Sequence, residues 1–242
     1  LAVAAAALGG RVLLVDGDVG LSNVDVLLGI VPERDVGDVL DGRCRIDEAI
    51  MSGPSGLSVL ASPSGRADLA AARVSELSGL IGPILADAWS FDLILVDAGS
   101  GIGAPVRALT ACCDRALLVT TPEPTSLTDA YATLKVLRRD APTLPLSLVI
   151  NQIERSGEGH SVALRLQRAA RRFLGAQIEL EHEVPQDAHI SRAVAAQVPW
   201  VTRYPNAPAS RAIVKLAGRL LARASRARGA ARSEPLHTGT SL

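Results

Sequence analysis

Apolar and polar positions along the chain follow two alternating rhythms. Short runs rich in Val, Ile and Leu stand at residues 11–16, 57–60, 93–97, 116–120, 146–151 and about 177–184. Most show little in-and-out alternation, the pattern of strands buried on both faces. Between them, apolar residues recur every three to four positions over 74–88, 102–112, 126–139, 161–174, 188–197 and 210–224, the spacing of helices with one buried stripe. Residues 1–8 form a further apolar, Ala-rich helical stretch. Strand and helix in alternation predict an α/β fold with a mostly parallel, doubly wound sheet. Ligands bind such sheets beyond the C-terminal strand ends, where Asp16, Asp97, Thr121 and Asn151 would emerge together.

At 242 residues and 48% hydrophobic, the chain can bury one large core. Its formal net charge of +0 provides no global field to draw nucleic acid or an anionic membrane. Cys44, Cys112 and Cys113 include no CxxC pair, which argues against a thiolate metal or cluster site. The histidines, His160, His182, His189 and His237, lack ligand spacing. No stretch approaches the length of a membrane span, and residues 1–8 lack the basic lead of a signal peptide. Residues 1–222 read as the domain, and the Arg-, Ser- and Gly-rich residues 223–242 as a disordered basic tail. The stripe Ile213, Leu216, Ala217, Leu220 and Leu221 reads as core packing. Arg226, Arg228 and Arg232 lack the bulky apolar partners that bilayer insertion needs, so weak or no membrane contact is expected.

The chemistry-bearing stretches lie at strand ends. Residues 12–25, Val-Leu-Leu-Val-Asp-Gly-Asp-Val-Gly-Leu-Ser-Asn-Val-Asp, run an apolar strand into two carboxylates and a Gly-Leu-x-Asn-x-Asp turn. Residues 95–102, Leu-Val-Asp-Ala-Gly-Ser-Gly-Ile, end a second strand in Asp97. Residues 121–131, Thr-Pro-Glu-Pro-Thr-Ser-Leu-Thr-Asp-Ala-Tyr, follow a third, and Val184-Pro185-Gln186-Asp187 a later one. Taken singly, Asp-x-Asp is most often a turn, and a strand-ending Asp often caps the next helix.

In this order the four stretches resemble the MinD/ParA family of deviant P-loop ATPases over about residues 1–222. The Thr-Pro-Glu-Pro-Thr block, with residues 201–210, Val-Thr-Arg-Tyr-Pro-Asn-Ala-Pro-Ala-Ser, is most similar to the flagellar-number regulators of FlhG/FleN type. The resemblance implies ATP and Mg²⁺ as cofactors, with Asp18 as the catalytic switch residue that orients the attacking water. It implies Asp97 acting on Mg²⁺ through a water, Asp16 supporting the switch loop or the Mg²⁺ waters, and Gly101 sensing the γ-phosphate. Asn151 would read adenine, and Pro185 and Asp187 would enclose the base. Glu123 would lie near the partner subunit's nucleotide. A homodimer on ATP binding, flagellar partners such as a signal-recognition-type GTPase, and a cytoplasmic protein that at most visits the inner face of the membrane are further implications. Nucleic acid is not an expected partner.

The family's Gly-Lys-Gly-Gly-x-Gly-Lys-Thr phosphate loop would lie a few residues before the helix at 1–8. The only lysines, Lys135 and Lys215, follow no Gly-rich turn. Two readings stay open: an N-terminally truncated ATPase whose upstream frame encodes a strand and that loop, or a pseudo-ATPase that keeps the fold and works without nucleotide. On the first, the first strand and P-loop are missing, residues 1–242 alone are inactive, and the sheet has an unfilled slot. A division-site or partition ATPase of the same family is a third reading, which the Thr-Pro-Glu-Pro-Thr block disfavours.

Overall fold

A computed structural model describes residues 1–18, 22–63, 79 and 90–233. In chain order the elements are α1 (Ala2–Ala7), β1 (Val12–Asp16), α2 (Val24–Leu28), α3 (Val36–Leu40), α4 (Ile46–Ala49), β2 (Ile50–Ser52) and β3 (Ser58–Leu60). There follow β4 (Leu93–Asp97), α5 (Ala104–Ala111), β5 (Ala116–Thr120), α6 (Pro124–Asp140), β6 (Leu146–Ile153) and α7 (Glu158–Leu174). The last are β7 (Glu179–Pro185), α8 (Ala188–Ala195), α9 (Trp200–Arg203) and α10 (Pro208–Ser233). The helix expected at 74–88 lies outside the described residues except for Gly79, which is helical.

Among the described residues the strands form a four-stranded sheet in the order β2-β3-β1-β4 and a three-stranded sheet β5-β6-β7. Only β2, paired with β3, runs antiparallel. β4 and β5 are edges, each paired on one side, and Val119 on β5 is 59% exposed. Both strands contribute to one apolar cluster: Leu93 and Leu117 pack on the group formed by Val149, Val184, Leu216 and Leu220.

Helices cover both faces, as the uninterrupted apolar strands predict. On β1, Val12 faces α1 and Ala217 of α10, while Leu13 and Val15 face Val36 of α3 and Leu109 of α5. On β6, Leu148 and Ile150 pack against Leu134 of α6 and Leu166 of α7, while Val149 meets α10. No described helix is long and apolar enough to cross a membrane.

The C-terminal expectation is corrected: α10 continues to Ser233 rather than ending near residue 222. Arg223 forks onto Glu181 at 2.9 and 3.3 Å, and Arg228 reaches the Phe91 carbonyl and Asp92, both at 2.7 Å. Composition alone cannot reveal these partners, because they come from β7 and the start of β4. Residues 234–242 lie outside the described residues.

The same helix makes stability pH-dependent. Arg219, a donor only, reaches Nδ1 of His182 at 2.7 Å, so that nitrogen accepts and Nε2–H donates to the Ala212 carbonyl at 2.6 Å. The ring is therefore neutral. Burial, with Arg219 and Lys215 nearby, holds its pKa below the ordinary 6.5, outweighing the Ala212 bond and Glu181, which raise it. The unfolded chain then takes up a proton before the folded one, so the contribution is present above pH 6.5 and is lost as pH falls from there through the lower pKa of the folded state. Melting temperature is expected to drop between pH 7.5 and 5.5, with a shallower slope in His182→Gln. Parallel slopes would show that His182 is not the titrating group.

Candidate functional site

β1 and β4 run parallel in direct register, so the last rung of the ladder places Asp16 opposite Asp97. The backbone past that rung is tightly interlocked. Gly17 donates its N–H to the Asp97 carbonyl at 2.7 Å, and a Cβ on Gly17 would stand 2.8 Å from that oxygen and 2.5 Å from Leu109 Cδ1. Asp18 lies against the loop that follows β4. Gly99, at φ +72°, leaves space there, since a Cβ on it would come within 2.9 Å of the Asp18 carboxyl carbon. Gly101 in the same loop is also left-handed, at φ +91°, a conformation glycine adopts without Cβ strain.

The two strand-end carboxylates differ in environment. Asp97 is exposed and accepts the Gly99 N–H at 3.2 Å. Asp16 is 1% exposed, with one oxygen accepting the Asp18 N–H at 3.1 Å and the other the Ser22 hydroxyl at 2.6 Å. Burial pushes its pKa above the ordinary carboxylate value, partly offset by those two bonds. Both Asp16 oxygens are thus engaged, one by the Asp18 backbone and one by the Ser22 hydroxyl.

Among the described residues, no group of three or more His, Cys, Asp or Glu could hold a metal ion. Mg²⁺ keeps several of its waters and takes one or two carboxylates besides phosphate oxygens. A single accessible carboxylate at a strand end, Asp97, fits that donor set.

On the second sheet, Thr120 pairs with Ile150, so Thr121, just past β5, and Asn151, still inside β6, lie side by side; Asn151 is not the strand-ending residue that the apolar run predicts, because β6 continues to Ile153. Ser126 reaches back from α6 to the Thr120 hydroxyl at 2.8 Å and accepts the Thr121 N–H at 3.0 Å. It therefore fixes the Thr-Pro-Glu-Pro turn, while Glu123 occupies the helix N-cap without a side-chain bond. Asn151 Oδ1 accepts the N–H of Gln152 at 2.9 Å, and Gln152 is left-handed at φ +58°. Pro185 pairs with Ile153, and Gln186 donates to the Ile153 carbonyl at 2.9 Å, which puts the 185–187 loop beside the end of β6, two residues past Asn151.

Asp187 acts through the backbone. Its carboxylate accepts the N–H groups of His189 and Ala209 at 3.0 and 3.2 Å and the His189 ring nitrogen at 2.7 Å. These bonds, the His189 N–H first, hold its pKa below the ordinary value. It caps α8 and ties the start of α10 to the loop. Cys113 is pushed up to about 11 by burial, consistent with a packing thiol rather than a reactive one.

The structure thus forms two groups: Asp16, Asp18, Asp97 and the glycine loop on one sheet, and Thr121, Asn151, Pro185 and Asp187 on the other. Sequence reading missed Ser22, Ser62 and Gln152. Ser22 stood at the free position of the Gly-Leu-x-Asn motif, and Ser62 carried no motif at all.

No protein-family model matches the chain. The chain is 35% identical to the antiactivator FleN of Pseudomonas aeruginosa over 217 residues, covering 90% of this chain and 78% of that protein. It is 29% identical over 217 residues to the flagellum site-determining protein YlxH of Helicobacter pylori, covering 89% and 73%. Among solved structures, the cell division ATPase MinD of Pyrococcus furiosus superposes with a TM-score of 0.76 at 26% identity, over 90% of this chain and 89% of that one.

Proposed function

Because the chain belongs to the MinD/ParA family of ATPases, in the FleN branch, we propose that it is an ATP-dependent dimerising switch that controls flagellar number or placement and is reset by hydrolysis. The observation that carries this reading is the contact between the two strand-end loops, with the Asp18 carboxylate lying on the backbone of Gly99 beside Asp97.

Hydrolysis of a γ-phosphate needs a water held in line and charge stabilised on the phosphoryl oxygens. Asp18 would orient that water; its N–H is held by Asp16 and its carboxylate stands against Gly99, which supports the role. Asp97 would hold Mg²⁺ through a water; the ion, when bound, neutralises charge on the phosphates. Asn151 would read the base through its amide, with Pro185 in the loop that would enclose it and Asp187 tying that loop to α8 and α10. The Gly101 N–H would sense the terminal phosphate, coupling the loop between β4 and α5 to its loss.

The similarity to an antiactivator and to a flagellum site-determining protein supports flagellar proteins as partners; a signal-recognition-type GTPase as one of them, and a dimer that works in the cytoplasm, belong to the same proposal. The test is size-exclusion chromatography with light scattering on the intact protein, alongside phosphate release. A dimer with ATP that reverts to monomer as phosphate appears is expected, and deletion of the gene should change flagellar number. Turnover with no change in oligomeric state would overturn the switch reading.

A further inference from the structure

Ser62 lies just past β3 and is 3% exposed. The chain around it is held firmly: the Ala61 carbonyl accepts the N–H of Val36 at 2.9 Å, and Pro63 restricts the backbone of the residue before it to extended conformations. From this fixed position the Ser62 hydroxyl donates to the Asp16 carbonyl at 2.6 Å, across 46 residues of sequence.

The Asp16 carbonyl belongs to the same peptide unit as the N–H of Gly17, which donates to the Asp97 carbonyl at 2.7 Å. One planar peptide is thus clamped from two sides, by a side chain beyond β3 and by the backbone at the end of β4. The clamp sits at the pivot of the switch segment. Gly17 has the backbone freedom to rotate, and Asp18 is the next residue. Releasing the carbonyl would let the peptide turn and carry Asp18 off Gly99.

We propose that Ser62 is a positioning residue for hydrolysis: its hydroxyl locks the Asp16–Gly17 peptide and thereby holds Asp18 where it orients the attacking water. The proposal rests on the reading of Asp18 given above. A neutral hydrogen bond of this kind contributes only modestly to stability. Its consequence for geometry is larger, because a misplacement of about 1 Å at a reacting group can cost up to about 10²-fold in rate.

The decisive pair is Ser62→Val and Ser62→Thr in the intact protein, since the two side chains have nearly the same shape and only threonine keeps the hydroxyl. Ser62→Val should lower kcat about tenfold or more with the KM for ATP within about twofold of wild type, as expected for a group felt only in the transition state. Ser62→Thr should recover most of the rate. Without nucleotide, amide hydrogen exchange at Gly17 and Asp18 should accelerate in the valine variant alone, while Leu13 and Leu14 inside β1 stay protected.

Equal turnover in the two variants, or accelerated exchange along all of β1, would overturn the proposal, the latter by showing general destabilisation. If neither branched side chain yields folded protein, Ser62→Ala against wild type decides by the same readouts. Asp18→Ala separates the two claims. If it leaves hydrolysis intact, the reading of Asp18 fails. If it abolishes hydrolysis while Ser62→Val remains active, only the role of Ser62 is removed.

Discussion

Asp18→Ala in the intact protein is expected to slow ATP hydrolysis by about 10²-fold or more while ATP still binds and the dimer accumulates. The asymmetry follows from where Asp18 acts. Its carboxylate lies against the Gly99 backbone, and in the proposed function it orders a water in the transition state. Binding in the ground state depends on groups that hold phosphate, Mg²⁺ and base. Loss of an interaction made only in the transition state lowers kcat and leaves affinity largely intact. Asp25→Ala is the control on the same segment: one Asp25 oxygen is buried without a hydrogen-bond partner, so removing it breaks no bond at that atom and should be mild. Phosphate release beside size-exclusion chromatography with ATP measures both properties. Normal turnover in Asp18→Ala, or failure to bind ATP, would remove Asp18 from this role.

Gly17→Ala should be the most damaging single-methyl change in the molecule's switch region. The added carbon would stand 2.5 Å from Leu109 Cδ1 and 2.8 Å from the Asp97 carbonyl oxygen. Leu109 is 1% exposed in the core, and the carbonyl belongs to the strand next to β1, so neither can easily give way. Overpacking of this kind costs typically about 1–3 kcal/mol, and the rigid backbone partner puts this case near the top of that range. For a domain of this size that lowers the melting temperature by roughly 6–12 °C. Leu109→Ala in the same chain should relieve only part of the clash, giving a double variant less destabilised than the sum of the singles. Gly218→Ala supplies the contrast: in α10 its new carbon would rest 3.7 Å from Leu8, an ordinary contact, and alanine is the better helix former by about 1 kcal/mol. Thermal melts of the variants decide the matter. A Gly17→Ala protein as stable as wild type would show that β1 and β4 are less tightly locked than their spacing implies.

The elements legible in the sequence are those whose signal is local. Six strands and most long helices lie within a few residues of where hydrophobic rhythm predicts them, because periodicity and strand length are properties of a short window. Asp16 and Asp97 were readable as strand-end carboxylates for the same reason, and the parallel sheet brings them to one rung. α2, α3, α4 and α9, each of four or five residues, are too short to show a helical period. The three-residue β2 is equally silent.

What the sequence by itself determined is the alternating α/β order, the strand ends and the identity of the residues that emerge there. Tertiary structure decided what those residues do. Asp16 turns inward because Ser22 and Asp18 meet it in the turn, and Ser62 grips its carbonyl from another strand. Asp187 is tied to helix starts, and the helix continues past residue 222 where Arg223 and Arg228 find Glu181, Phe91 and Asp92. Hydrophobic periodicity is written residue by residue. A hydrogen bond across 46 or 136 residues has no such local trace, since it exists only once packing has set two distant segments at bonding distance.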